Sequence, residues 1–204
     1  MAIISNAVTI ADAGAFSASL GSMVLIKTLT ASTSANLTFV HGSSSVVLDS
    51  TYPIYKFEII GIHPSADASA LQVNFRDGGS AYDAAKTTTY VLSRHAEDGS
   101  SSELTYKDGL DLAQSTAVQK LTVDADNDND SSQSGEMFLF NPSSTVFMKH
   151  FMSRIQTVQT NAQSMENYVA GYCNVTAAID AVQFTSSSGT LDAGQIKLYG
   201  IKDS

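Results

Sequence analysis

Four aspartates alternate with small polar residues between positions 124 and 130, and they are the strongest candidate for chemistry in this chain. They are Asp124, Asp126, Asp128 and Asp130. Oxygen-rich loops bind hard cations such as calcium, and the spacing of the first three aspartates copies the start of an EF-hand loop. However, Asn129 occupies the position of the turn glycine, and Gly135 occupies that of the last glutamate. Two interpretations therefore stay open, a calcium site and a solvated acidic loop tip.

Aromatic side chains in the polar middle of the chain could form a second kind of site. Exposed rings stack on sugars at many recognition surfaces. The candidate glycan-binding residues are Tyr82, Tyr90, Arg94 and Tyr106. The alternative is that the tyrosines close the ends of the hydrophobic core, since single edge tyrosines are common.

The chain lacks the residue patterns of common catalytic sites. Its four histidines, His41, His63, His95 and His150, are scattered, and none has the i,i+4 spacing of a zinc protease. There is no Gly-x-Ser-x-Gly elbow and no phosphate-binding loop that ends in Gly-Lys-Ser/Thr. Cys173 lies in a strand-like segment, where a small buried thiol is expected. We therefore predict a protein that is not an enzyme, with no catalytic or cofactor-binding residue and calcium as the one possible ion.

Composition limits the classes of partner. Lysine and arginine number 11 against 20 aspartates and glutamates, which gives a formal net charge of −9. Nucleic-acid recognition needs clustered cations, so this charge argues against it, and it also disfavours anionic membranes. No run approaches the roughly 18 apolar residues of a membrane span. The single cysteine excludes an internal disulfide, so packing alone must stabilise the fold.

The apolar pattern predicts short strands separated by polar turns. Strands are expected over 23–29, 37–40 and 46–48. Leu71, Val73 and Phe75 alternate with polar residues, and the following Asp77-Gly-Gly turn predicts a hairpin. Apolar residues over 110–121 also fit helical spacing, which allows one short helix there.

Residues 147–155 predict a strand with apolar groups on both faces. Phe147, Phe151 and Ile155 share one face, while Met148 and Met152 share the other. Such a strand is either central in a sandwich or covered on one face by a neighbouring subunit.

Residues 188–202 combine a turn that contains two glycines with an alternating strand. Their sequence is Ser-Gly-Thr-Leu-Asp-Ala-Gly-Gln-Ile-Lys-Leu-Tyr-Gly-Ile-Lys. This ending resembles the jelly-roll modules of structural proteins in tailed bacteriophages, especially those of marine phage genomes. Further matching segments lie at 55–64, 71–79, 138–142, 147–151, 169–176 and 179–188. The match covers roughly residues 50–202, and 90–133 fit it poorly.

The resemblance implies a fold and a function. The fold would be an all-β, single-domain antiparallel β-sandwich of jelly-roll type, with about eight strands in two sheets over residues 18–204 after an amino-terminal arm over 1–17. The function would be that of a structural virion protein, assembled in the host cytoplasm, most simply a capsid decoration or cement protein. Its partners would be the major capsid protein, other virion proteins and further copies of itself, as a trimer by family analogy.

Two other functions stay open. One is a tail or fibre protein that binds a host surface glycan, which the same fold could serve. The other is a lectin-like module that binds sugar through calcium at the acidic loop.

Overall fold

The chain folds as an all-β protein. The computed structural model describes residues 3–5, 8–12, 15–16 and 22–202, and within these ranges every regular element is a β-strand in an antiparallel pairing. The part of the chain so described contains no helix of the length and hydrophobicity that a membrane crossing needs.

The described residues contain fifteen strands in three sheets. The strands are β1 (Ile3–Ser5), β2 (Val8–Asp12), β3 (Ala15–Phe16), β4 (Met23–Thr30), β5 (Asn36–Val40), β6 (Ile54–Pro64), β7 (Leu71–Arg76), β8 (Lys86–Ala96), β9 (Ser102–Tyr106), β10 (Gln119–Lys120), β11 (Gln133–Phe140), β12 (Lys149–Gln159), β13 (Gln163–Cys173), β14 (Ala181–Ser186) and β15 (Leu191–Ile201). The small sheet has the order β1-β2-β3. The other two have the orders β10-β7-β14-β5 and β4-β15-β6-β11-β12-β13-β8-β9.

The four-stranded and eight-stranded sheets pack face to face as a sandwich. Alternation along each strand sends every second side chain into the core, as in β7, where Leu71, Val73 and Phe75 are buried. Rings meet across the two sheets: Phe75 lies 4.9 Å from Phe151 between centroids. Each such fully buried phenylalanine contributes about 1.5–3 kcal/mol of hydrophobic free energy. The predicted all-β sandwich is confirmed, and its architecture is compatible with a jelly roll.

The predicted hairpin after residue 75 is wrong. Gly78 and Gly79 do have the positive φ that the turn requires, at 106° and 69°. However, β7 pairs with β10 and β14, whereas β8 pairs with β13 and β9 in the other sheet. The turn therefore begins a crossover between the sheets, which lets both strands bury apolar faces in the same core.

The short helix allowed over 110–121 is not formed. The backbone there makes other hydrogen bonds: Ser115 and Lys86 exchange N–H to O bonds of 2.9 and 2.8 Å, and the N–H of Leu112 donates to Oγ1 of Thr88 at 2.8 Å. Gln119 then begins the short strand β10, opposite Val73. Hydrogen bonds to the beginning of β8 thus satisfy backbone groups that a helix would have satisfied internally.

Strand number and boundaries also differ from expectation. The two large sheets contain twelve strands, rather than about eight. Residues 46–48 were predicted as a strand, yet they form none, although Val46 and Leu48 are buried in the core. Strands β1 to β3 fall within the predicted arm over 1–17, whose remaining positions lie outside the described residues. The division into arm and sandwich stays a prediction.

Candidate interaction surface

One face of the eight-stranded sheet is turned away from the core and carries a continuous row of side chains. Cross-strand pairing links these residues in order across seven strands, from β4 to β8. The row consists of Leu25, Tyr199, Lys56, Phe138, Met152, Ala170 and Thr89. We call it the outer row. Its one charged member, Lys56, places its ammonium 5.8 Å from the centroid of the Phe138 ring, so its stem extends the apolar surface.

A groove of about 320 Å³ lies at the centre of the outer row. Its large walls are Phe138, Met152 and Tyr168, and small side chains such as Ala170 form its floor. Met152 is 54% exposed and Tyr168 is 39% exposed. Because large side chains flank small ones on neighbouring strands, the sheet surface is concave and apolar there, as in many binding sites.

Ion pairs border the groove on one side. Nε of Arg154 donates to Oε1 of Glu166, and the hydroxyl of Tyr168 donates to Oε2 of Glu166 at 2.8 Å. The hydrogen bond from Arg154 holds the pKa of Glu166 below its usual value. On the neighbouring strands, Lys56 pairs with Glu136 at 2.8 Å. The groove therefore has an apolar centre and a charged rim, which is the anatomy of a protein interface.

An exposed apolar tip precedes β12. Val146 is 70% exposed, Phe147 is 71% exposed and Met148 is 47% exposed. The tip is ordered by Ser144, whose Oγ accepts hydrogen bonds from the backbone N–H groups of Val146 at 3.2 Å and Phe147 at 2.9 Å. An exposed phenylalanine whose backbone is fixed by a hydrogen bond is typical of residues that contact another molecule.

The side chain of Lys149 fixes this tip from inside the molecule. It is fully buried, and its Nζ donates to the backbone oxygens of Ser144 at 3.2 Å, Val175 at 2.7 Å and Ala177. Burial lowers the pKa of Lys149. One ammonium thus ties the loop before β12 to the loop after β13.

The carboxylates of Asp124 and Asp126 in the acidic loop accept hydrogen bonds from other groups of the protein. Oδ2 of Asp126 accepts from the hydroxyl of Ser131 at 2.7 Å, and Oδ1 accepts from the N–H of Asp128 at 3.3 Å. Oδ2 of Asp124 accepts from the side-chain amide of Gln159 at 3.2 Å, while Asp130 is exposed. Within the described residues, no three His, Cys, Asp or Glu side chains group so that they could hold a metal ion. The calcium site stays a prediction.

The structure does not bring the four predicted glycan-binding residues together. Tyr90 is in the core, where its hydroxyl donates to Oδ1 of Asn167 at 2.7 Å, so it presents no ring at the surface. Tyr82 lies in the crossover before β8, beside Arg76. Tyr106 and Arg94 belong to neighbouring strands, but β-alternation places them on opposite faces of the sheet.

Tyr106 and Arg94 each have a carboxylate partner. The hydroxyl of Tyr106 donates to Oδ2 of Asp111, and the ring is half exposed. Arg94 pairs with Glu103 at 2.6 Å. Of the predicted set, Tyr106 is therefore the residue best placed to contact a ligand from the outer face.

Cys173 is fully buried, as its strand-like context predicts. Burial raises the pKa of its thiol to about 12. It lies directly between Lys86 and Lys149 in the register of β8, β13 and β12.

Part of the outer row, but not the row as a whole, can be inferred from the sequence. The pattern of residues 147–155 predicts a strand with apolar groups on both faces, and in β12 Phe151 and Ile155 are buried while Met152 is exposed. It did not reveal that Phe138, Tyr199 and Leu25 continue the same surface, because cross-strand neighbours are set by pairing between distant segments.

No family model, no curated protein and no solved structure matches this chain, so the resemblance of residues 50–202 to phage jelly-roll modules stays a prediction.

Proposed function

We propose that this protein is a non-enzymatic structural component of a tailed-bacteriophage virion, and that it decorates or cements the outer capsid shell. Two observations support this function. Residues 50–202 resemble phage jelly-roll modules in sequence, and the β-sandwich presents one broad apolar face. A virion protein of this kind acts by binding its neighbours, so its principal site is a surface rather than a cleft with reactive groups.

The observation that carries the proposal is the outer row with its groove and the neighbouring Phe147 tip. Monomeric soluble proteins rarely expose contiguous apolar patches of this kind without a partner. Here Met152, Tyr168 and Phe147 are exposed, and the surface pocket lined by Met152 shares His150 with the one lined by Phe147. Rigid aromatic and methionine side chains in the centre of a patch are the usual anchors of an interface.

The partners that fit this surface are capsid subunits and further copies of the chain. In a closed trimer each contact joins two different patches, so on the three-fold positions of a shell each subunit would cover its neighbour's outer row with another part of its surface. The net charge of −9 suits docking of the remaining surface on a basic shell.

The test is the number of copies of this chain in purified particles of the virus that encodes it. Quantitative mass spectrometry against the major capsid protein is expected to give a ratio of about one to one. A few copies per particle would overturn the shell-wide role in favour of the tail. Complete absence from the particles would overturn the virion proposal itself.

The second candidate function is receptor binding at a tail or fibre, and Tyr106 favours it. The ring is half exposed at the edge of the sheet, and its hydroxyl bonds the carboxylate of Asp111. A tyrosine beside an acidic acceptor can stack on a sugar and bond its hydroxyl groups. If this function holds, Tyr106→Ala abolishes binding on a glycan array while Tyr82→Ala retains it, and a wild-type chain that binds no glycan would exclude it.

A further inference from the structure

Lys86 is a buried amine whose hydrogen-bond partners are neutral oxygens. Its side chain is fully buried, and Nζ lies 2.6 Å from Oδ1 of Asn74 and 2.8 Å from the backbone oxygen of Ala84. Over residues 22–202, the ion pairs of the structure do not include Lys86. A buried lysine usually has a carboxylate partner. This arrangement is therefore costly for the charged amine and raises the share of the neutral, nucleophilic form.

The carboxamide of Asn74 is held against this amine. Its Oδ1 accepts from the backbone N–H of Phe75 at 3.0 Å in addition to the bond from Lys86. Its Nδ2 makes one long bond, of 3.4 Å, to the backbone oxygen of Thr116. The oxygen end is therefore fixed and polarised, and the nitrogen end is weakly held on the half-buried side of the residue.

We propose that Lys86 and Asn74 join in a self-formed intramolecular amide cross-link between the two sheets of the sandwich. Asn74 lies on β7 of the four-stranded sheet, and Lys86 begins β8 of the eight-stranded sheet. This inference does not depend on the proposed virion function.

The reaction needs no oxidant and no cofactor. The lone pair of neutral Nζ attacks Cγ of Asn74, and the N–H of Phe75 stabilises the negative charge that develops on Oδ1. The bond from Cγ to Nδ2 then breaks, a proton passes from Nζ to Nδ2, and one molecule of ammonia leaves. Holding amine and carboxamide in contact replaces a bimolecular encounter by an intramolecular one, which greatly raises the effective concentration.

The surroundings of Lys86 supply a neutral amine. Burial lowers the pKa of Lys86 to about 8, although Cys173 and the carboxylates of Asp83 and Asp77 partly oppose this. Roughly one molecule in ten therefore carries the neutral amine at pH 7.

Tryptic mapping of the purified full chain under denaturing conditions tests the cross-link directly. Trypsin cleaves after Lys56, Arg76, Lys86 and Arg94, but an acylated Lys86 resists cleavage. The expected product is a branched peptide in which residues 57–76 are joined to residues 77–94, with a mass one ammonia molecule below the sum of the two peptides. A cyclised Asn74 would also lose ammonia, but Lys86 would be cleaved, so three separate peptides would result, 57–76, 77–86 and 87–94.

Two variants complete the experiment. Lys86→Arg retains the positive charge but cannot form the bond, so it is expected to give peptide 57–76 as a linear species. Asn74→Ala removes the reacting carboxamide and is expected to leave Lys86 open to cleavage by trypsin. Cleavage after Lys86 in the wild-type chain, together with linear peptide 57–76, would overturn the proposal. A branched peptide in Lys86→Arg would do so as well.

Discussion

The hydroxyl of Tyr90 donates a 2.7 Å hydrogen bond to Oδ1 of Asn167, and both side chains are completely buried between the sheets. Asn167 in turn donates through Nδ2 to the backbone oxygen of Ile155 at 3.2 Å. The pair joins β8, β13 and β12 through side chains in the middle of the core. This hydrogen-bonded pair explains why Tyr90, which lies in the polar middle of the sequence, is buried in the core.

Tyr90→Phe is expected to destabilise the protein by about 1–2 kcal/mol. The change removes a donor and leaves Oδ1 of Asn167 buried without its partner, which costs more than the bond itself is worth. Urea unfolding followed by circular dichroism measures the change. Tyr82→Phe is the matched control, because Tyr82 is only half buried, and it is expected to stay within about 0.5 kcal/mol of wild type. Equal effects of the two changes would contradict the assigned role.

Lys149→Met is expected to lower the free energy of unfolding by about 3 kcal/mol. The variant retains the length of the side chain but leaves the backbone oxygens of Ser144, Val175 and Ala177 without their shared donor. It should also release the Phe147 tip. Hydrogen exchange of the amides of Val146 and Phe147 is therefore expected to accelerate in the variant, and unchanged exchange would show that the tip is held by Ser144 alone.

The contribution of Lys149 should also depend on pH. Burial lowers its pKa from the ordinary 10.5. Between the lowered value and 10.5 the unfolded chain binds more protons than the folded chain, so the free energy of unfolding rises with pH in that window. The difference between wild type and Lys149→Met isolates this effect, because both chains contain the same tyrosines. A difference that falls as the pH rises through this window would contradict the lowered pKa.

Gly135→Ala is expected to destabilise the protein by about 3 kcal/mol. Its Cβ would lie 2.1 Å from the backbone oxygen of Arg154 and 2.7 Å from Cα of Ile155, and backbone atoms of a central strand cannot move aside easily. Gly109→Ala is the control, since a Cβ there meets nothing within 4 Å. Thermal unfolding of both variants decides the matter, and similar melting temperatures would show that β11 and β12 are not packed so closely.

Met152→Glu is expected to weaken association of the chain with itself or with capsid shells at least tenfold. The change places a charge in the centre of the outer row, where an interface would remove it from water. Leu104→Glu is the control, because Leu104 is 75% exposed on the edge strand β9. Sedimentation velocity measures self-association, and co-sedimentation with empty shells measures docking. If both variants associate as wild type does, the outer row is not the contact surface.

Local sequence patterns were sufficient to identify many strands. The alternation of Leu71, Val73 and Phe75 gave β7, and that of Ile196 and Leu198 gave part of β15, because a half-buried strand must repeat every two residues. The same rule placed Cys173 in a strand, and the chain buries it. These features depend on neighbours in the sequence, so the sequence contains the information directly.

Pairing could not be inferred in the same way. Two glycines after Asp77 indicate a turn, yet they do not determine whether the chain returns to the same sheet or crosses to the other one. Only the completed core decides, because β7 and β8 lie in different sheets and each turns apolar side chains into the core between them.

Burial of polar groups was likewise decided by tertiary contacts. Lysine is normally a surface residue, so nothing in the local pattern distinguishes Lys86 and Lys149 from exposed lysines. Each becomes tolerable in the core only when oxygen atoms from separate segments converge on its ammonium group, as those of Ser144, Val175 and Ala177 do. Alternation, turns and charge thus follow from the sequence read locally. The outer row, the buried amines and the partner of each strand exist only where distant segments meet.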